Sequence, residues 1–257
     1  MQKINKDKSV KMTSLEKGLF MMKLLAEEPY KYTLSQLVEM TGMNRTTIYR
    51  TLTILIEAGM LIRDSKSKEY KMGPLPYKMG NVYLMNADFR QSILTLLEKI
   101  AEESGESVGI AHREGNKVMS IYAVEIHQPI KINDKPGTLY PMNKGCYGKC
   151  LMAYHDTEEV NKLLDTMTFL ETAPNTLINK NDIIAEYKKI REHGFVTSIE
   201  EILPYMIGVG IPLKSPNGRV ENVVAISFFK QENNSEKIQR MYEILIKYHD
   251  QLEKYLL

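Results

Sequence analysis

The chain has 257 residues, 43% of them hydrophobic and 26% charged, with a net charge of only +2. This is the composition of an ordinary globular protein of one large or two modest domains, and it excludes a uniformly basic nucleic-acid binder. No apolar run approaches the length of a membrane span, and the polar N-terminus lacks the apolar core of a signal peptide, so the expected location is the cytoplasm.

The charge is unevenly placed. Residues 1–80 hold 14 Lys and Arg against 8 Asp and Glu; residues 81–257 hold 20 against 24. A basic first third on an acidic remainder fits a polyanion-binding domain joined to something else. Cys146 and Cys150 are the only cysteines. That suits a reducing compartment and argues against a disulfide-built fold.

Residues 1–13 read as a disordered basic arm. Leu15, Leu19, Met22 and Leu25 then recur at helical spacing, with Ser14 as the expected N-cap and Pro29 as the stop. Thr33 and Gln36 form a capping box for a short helix carrying Leu34, Leu37 and Val38. Gly42 supplies a turn. Asn44 caps a third helix that runs to Ala58 and stops at Gly59. Met60–Arg63 and Tyr70–Met72 read as strands around a polar tip. Helix, helix, turn, helix, hairpin is the layout of a winged helix-turn-helix.

The third helix is amphipathic in a particular way. Ile48, Leu52 and Leu55 share one face. Thr46, Tyr49 and Arg50 share the other, with Arg45 beside them. In a helix-turn-helix, the first residues of the second helix meet base edges. The expected DNA-contacting set is therefore Asn44, Arg45, Thr46, Thr47, Tyr49 and Arg50. Lys66 and Lys68 on the hairpin tip would meet phosphate or the minor groove. Arg suits guanine and Thr the thymine methyl. The alternative is a winged helix used only for protein contacts.

Gly73-Pro74 and Pro76 break the pattern, and residues 74–87 read as a linker helix. A helix from residues 86–88 to Gly105 follows, with Ile93, Leu96, Leu97 and Ile100 inward. Ser107–His112 and Lys117–Val124 flank a hairpin signal at Glu114-Gly115-Asn116. Pro129–Asn133 reads as a third strand. Gly145–Tyr154, the segment boxed by Asp156 and Glu159, and Asp182–His193 read as helices. Met206–Leu213 and Val220–Phe229 flank the turn Ser215-Pro216-Asn217-Gly218. A last helix covers about Asn234 to Tyr255. Hairpins mixed with helices make this half α+β or mixed α/β.

Order and spacing of several runs resemble the IclR family of bacterial transcriptional regulators across nearly the whole chain. The carriers are Ser14–Gly73, the Gly145–Tyr154 turn with Gly148-Lys149, Ile190–Phe195, the pair Glu200-Glu201, and Ile211-Pro212-Leu213 followed by Asn217-Gly218. The resemblance implies an α+β chain with three parts. They are a winged helix-turn-helix (14–73), a linker helix (74–87) and a GAF-like mixed α/β effector domain (88–257). It further implies a homodimer or homotetramer on a pseudo-palindromic operator, acting as a repressor under small-molecule control, with no catalytic site, metal or cofactor.

By the same resemblance, the effector pocket falls at Cys146 and Tyr147 in the turn, at Ser198 and Gly208, and at the wall positions Ile132, Tyr140 and Met206. Family members that bind small organic acids tend to carry small turn residues, an acidic residue at the place of Ser198 and a cysteine at that of Gly208. Bulky Tyr147 and the loss of both polar groups leave three outcomes open: a smaller effector, a more aromatic one, or a closed pocket. The effector classes considered are a carboxylate and a phenolic.

The residues themselves leave alternatives. A helix N-terminus attracts anions, and Gly145 and Gly148 either let a ligand approach backbone or permit a tight turn. Cys146 and Cys150, at i and i+4, are either packing residues or a redox pair whose first member has a pKa lowered by the helix N-terminus. Glu200 and Glu201 read as solvated or cap-forming, since neighbours point apart.

Overall fold

The computed structural model describes residues 12–85, 90–125 and 136–256. Most of the expected basic arm, the helix start at 86–88, the strand at Pro129–Asn133 and the wall position Ile132 lie outside the described residues. The chain divides into two compact units, Met1–Asp88 and Phe89–Leu257.

The first unit contains α1 (Ser14–Leu25), α2 (Leu34–Thr41), α3 (Arg45–Glu57), β1 (Leu61–Arg63), β2 (Tyr70–Met72) and α4 (Pro74–Met85). The N-cap of α1 is Thr13 rather than Ser14. The Thr13 hydroxyl accepts from the Glu16 N–H while the Glu16 carboxylate takes the Thr13 N–H, so the reciprocal box outcompetes the next serine. The same box forms at Thr33 and Gln36. Gly42 ends α2 in the left-handed region, at φ 65°, which a glycine adopts without strain. Met21, Leu25, Leu37, Ile48, Leu52, Leu61 and Tyr70 close one core. β1 and β2 pair antiparallel, Ile62 opposite Lys71.

The second unit is a three-layer sandwich. Its antiparallel sheet has the order β5-β4-β3-β8-β7-β6. The strands are β3 (Ser107–Glu114), β4 (Lys117–Val124), β5 (Leu139–Tyr140), β6 (Val196–Ile199), β7 (Met206–Lys214) and β8 (Val220–Phe229). Central β8 is buried on both faces along its apolar middle, Val223–Ile226. Alternation then sorts it: Val224, Ile226 and Phe228 join one core, Val223 and Ala225 the other. The first core is closed by α5 (Arg90–Ser104) and α9 (Asn234–Tyr255). The second is closed by α6 (Gly145–Ala153), α7 (Thr157–Thr166) and α8 (Lys180–His193).

Helix α6 is the inner element of that face: all nine of its residues are buried, Lys149 included. Among the described residues, no helix is long and apolar enough to cross a membrane.

Candidate nucleic-acid interface and effector chamber

Helix α3 is held from below and left open above. Ile48 and Leu52 are fully buried in the core of the first unit. Arg45, Thr46, Tyr49 and Arg50 are exposed, Tyr49 by 51%. Thr47 is half-buried at the edge. The Asn44 side-chain oxygen accepts the Thr46 N–H at 2.8 Å, so that oxygen caps the helix and only its amide NH₂ remains for a partner. Arg45 makes one 3.3 Å contact, to the Ser35 hydroxyl on α2. The first turn of α3 thus presents guanidinium, hydroxyl and phenol groups on one surface.

The hairpin tip is set by Asp64. Its carboxylate accepts the N–H groups of Lys66 and Ser67, and these bonds pull its pKa below the ordinary value. Lys66 is exposed. Lys68, also exposed, folds its ammonium back onto the Ser65 carbonyl at 2.6 Å.

In the second unit, the sites expected for the effector converge on the head of α6. Tyr140 and Tyr147 meet edge to face, with centroids 4.9 Å apart. A cavity of about 90 Å³ opens beside them. Tyr140, Cys146, Tyr147 and Met206 line it together with Ile202, Leu203, Ala225 and Ser227. Ser198 and Gly208 do not line it. The Ser198 hydroxyl turns to the Glu201 carboxylate at 3.1 Å. Gly208 makes room for a neighbour: a Cβ there would stand 2.8 Å from Cys146 Sγ. Ile202 and Leu203 are unremarkable loop residues in the sequence.

The glycines of the turn serve packing. A Cβ on Gly148 would fall 1.8 Å from the Pro141 carbonyl oxygen, and one on Gly145 would fall 2.4 Å from the Ile202 side chain. The close neighbours are the protein's own atoms.

Glu201 corrects the expectation of a solvated pair. Glu200 lies near the surface and pairs with Lys230 at 2.7 Å. Glu201 is buried, and its carboxylate receives Lys149 Nζ at 2.6 Å, the Gly145 N–H at 2.9 Å and the Ser198 hydroxyl. It does form a cap, but for α6, from a loop more than fifty residues away. Lys149 completes the network with Glu186 and the Thr197 carbonyl, both at 2.7 Å. Burial opposes the Lys149 ammonium, yet Glu201 and Glu186 outweigh it and hold its pKa above the usual value. Burial also raises the Glu201 carboxyl, with Lys149, Gly145 and Ser198 pulling back.

Of the two readings of the cysteines, the structure favours packing. Both thiols are free and buried. Desolvation pushes Cys146 up to about 12 despite its place near a helix N-terminus, and burial pushes Cys150 up too. Neither supplies a thiolate at neutral pH, so a redox pair is not favoured.

Residues 14–65 match the IclR helix-turn-helix domain, and residues 81–254 match the bacterial transcriptional regulator IclR C-terminal domain. The chain belongs to the IclR family. It is a ligand-responsive, DNA-binding regulator of transcription. Among its relatives, the HTH-type transcriptional regulator KipR of Bacillus subtilis is 23% identical over 239 residues, 93% of each chain. An IclR-type regulator from Silicibacter sp. TM1040 superposes with a TM-score of 0.85 at 18% identity, covering 94% of this chain and 95% of that one. An IclR homologue from Microbacterium hydrocarbonoxydans, solved with 4-hydroxybenzoate, superposes with a TM-score of 0.74 at 16% identity, covering 94% and 100%. These likenesses identify the fold of this IclR-family chain, a helix-turn-helix unit followed by an α/β unit on an antiparallel sheet.

Proposed function

We propose that Asn44, Arg45, Thr46, Thr47, Tyr49 and Arg50 enter the major groove while Lys66 and Lys68 meet the backbone, and that the cavity beside Tyr147 receives the effector. The observation that carries the first part is the split of α3. On its apolar side Ile48 and Leu52 are fully buried and Leu55 half-buried, and Arg45, Thr46, Tyr49 and Arg50 stand exposed in the first turns. Buried Cys146 and Tyr147 with half-buried Tyr140 around one cavity support the second part.

The active form is a homodimer or a dimer of dimers in the cytoplasm. A two-fold pair of α3 helices sits about 34 Å apart on a pseudo-palindrome, one turn of DNA. Exposed Leu15 and Leu19 on α1, and Tyr77, Met79 and Val82 on α4, support a second copy, since clustered apolar surface marks contact sites. The protein acts as a repressor and carries out no catalytic reaction.

Selection of bound duplexes from a random pool tests the reading directly. Enrichment of an inverted repeat by the wild type, and its loss with Arg45→Ala and Arg50→Ala at fixed salt, is the expected result. Equal enrichment by the variants removes α3 from the interface. In a reporter strain, operator occupancy is expected to lower transcription; a rise would reverse the assigned sign.

A further inference from the structure

A second cleft lies on the α6 side of the sheet, away from the chamber assigned above to the effector. Its volume is about 620 Å³, against about 90 Å³ for the chamber. Space of that order suits a small-molecule ligand. The chamber takes Ala225 and Ser227 from β8; the cleft takes Arg219, Val220 and Glu221. At about 3.3 Å per residue, Glu221 and Ser227 stand roughly 20 Å apart along the strand. Helix α6 runs between the two sites. Tyr147 near its head lines the chamber, and Tyr154, its C-cap, lines the cleft.

Strand register gathers charge in the cleft. Arg113 follows Ala111 by two residues on β3, and Glu221 precedes Val223 by two on β8. Ala111 and Val223 both belong to the α6-side core, so alternation turns Arg113 and Glu221 to that face. His112 pairs with Asn222, which sets Arg113 and Glu221 side by side across the strands. The β7–β8 connection adds Lys214 and Arg219, and Glu159 comes from the first turn of α7.

The carboxylates have protein partners. Glu159 lies 3.1 Å from His155 Nε2, and Glu221 accepts the Ser215 hydroxyl at 3.0 Å. The cations are less well answered. Arg113 donates one N–H to the Gly115 carbonyl at 3.2 Å, but its Nε is buried and finds no hydrogen-bond partner among the described residues. A buried donor left in that state calls for a water or a ligand. Burial lowers the Arg113 pKa; Glu221 and Glu159 oppose this without overcoming it, and Arg219 adds repulsion. An anion set between two guanidiniums relieves both costs, and their planar forks fit phosphate oxygens two at a time.

We propose that this cleft is a second ligand site, separate from the effector chamber, for a phosphorylated sugar or polyol. The phosphate sits between Arg113 and Arg219, and the hydroxyls donate to Glu159 and Glu221. A carboxylate offers about four acceptor sites, so the contacts to His155 and Ser215 leave room for them. Tyr154 adds an aromatic ring to the wall. The mixed charge selects this class. A bare anion meets both carboxylates as repulsion, and a neutral sugar leaves the arginines unanswered.

The test follows thermal unfolding of the full chain with glucose 6-phosphate, ribose 5-phosphate and glycerol 3-phosphate. Each is set against inorganic phosphate and its unphosphorylated parent at equal ionic strength. A saturable rise in Tm with at least one of them is expected, larger than with inorganic phosphate and absent with the parent. Silence from all of them overturns the proposal, and so does a response that inorganic phosphate matches. Arg219→Ala tests the place, because this side chain is exposed and its loss spares the core. Its apparent Kd for the responding probe should rise about tenfold or more, as for loss of a hydrogen bond to a charged group. Arg113→Gln should do the same. An unchanged Kd in either folded variant overturns the proposal. So does a response that vanishes in Arg50→Ala, since the phosphate then sits on the DNA-reading helix. The regulator reading fails separately, through absence of salt-sensitive DNA binding.

Discussion

Helix α3 sends its polar side chains outward, and α6 sends its own inward. Both begin with a motif suited to a phosphate or carboxylate, and both carry basic residues in their first turns. In α3 the apolar stripe is anchored by Ile48 and Leu52, and Arg50 is exposed. In α6, Lys149 is 1% exposed and bound by three acceptors. The fold decides which charges face a partner and which serve as internal fastenings. Basic residues at a helix head mark a binding surface only where nothing in the chain already answers them.

The largest expected effect comes from opening the inner network. Lys149→Met removes the cation and leaves Glu201 and Glu186 facing a buried methyl group. Loss of one partner from a buried pair costs about 3–5 kcal/mol. Denaturant unfolding followed by circular dichroism should show this as an early transition of the second unit. A midpoint within error of the wild type would mean that water reaches Glu201 freely.

Leu52→Ala sharpens the contrast from the other side, with a cost of about 2–5 kcal/mol for a buried leucine. Here the early transition should belong to the first unit, with affinity for DNA lost only because the unit unfolds. Arg50→Ala should do the reverse. Its Tm stays where it was, and its specific operator affinity falls by about 1–3 kcal/mol, roughly 5- to 150-fold. Lys66→Ala should weaken binding to all sequences alike and reduce the salt dependence by about one phosphate contact. If Arg50→Ala lowers Tm as Leu52→Ala does, α3 is a structural helix and the comparison fails.

Much of the outward-facing helix could be read in the sequence, and little of the inward-facing one. The split of α3 follows from helical periodicity, a local property of consecutive residues. The turn at Gly42 and the cap at Asn44 are local too. The role of Glu201 is not local. It depends on the loop at residues 200–205 folding back onto residue 145, and on burial overriding the tendency of a glutamate to stay in water. The same competition decides between the two readings of Cys146: a helix N-terminus lowers a thiol pKa, but complete desolvation raises it more. Gly145 and Gly148 were ambiguous because a glycine records close approach without saying what approaches. The nearest atoms turned out to be Pro141 and Ile202.

The smallest effect separates two capping boxes that share one geometry. Thr33 and Gln36 cap α2, and Thr13 and Glu16 cap α1; in each, the third residue's side chain takes the threonine N–H, at 2.7 and 2.6 Å. Replacing Thr33 with Ala should cost about 1 kcal/mol. Only the α1 box can titrate. The Thr13 backbone bond, then its hydroxyl, holds the Glu16 carboxyl below its ordinary value. A carboxyl whose folded pKa is lowered stabilises above its unfolded value, and that contribution disappears as pH falls through the folded one. The first unit should therefore lose a small increment of stability on acidification from about pH 5 to 3. Glu16→Gln keeps the acceptor and removes the charge, so it should flatten that part of the profile, while Gln36→Glu should deepen it. Identical profiles for all three proteins would mean that the exposed α1 box frays in solution and contributes nothing to holding α1 beneath α3.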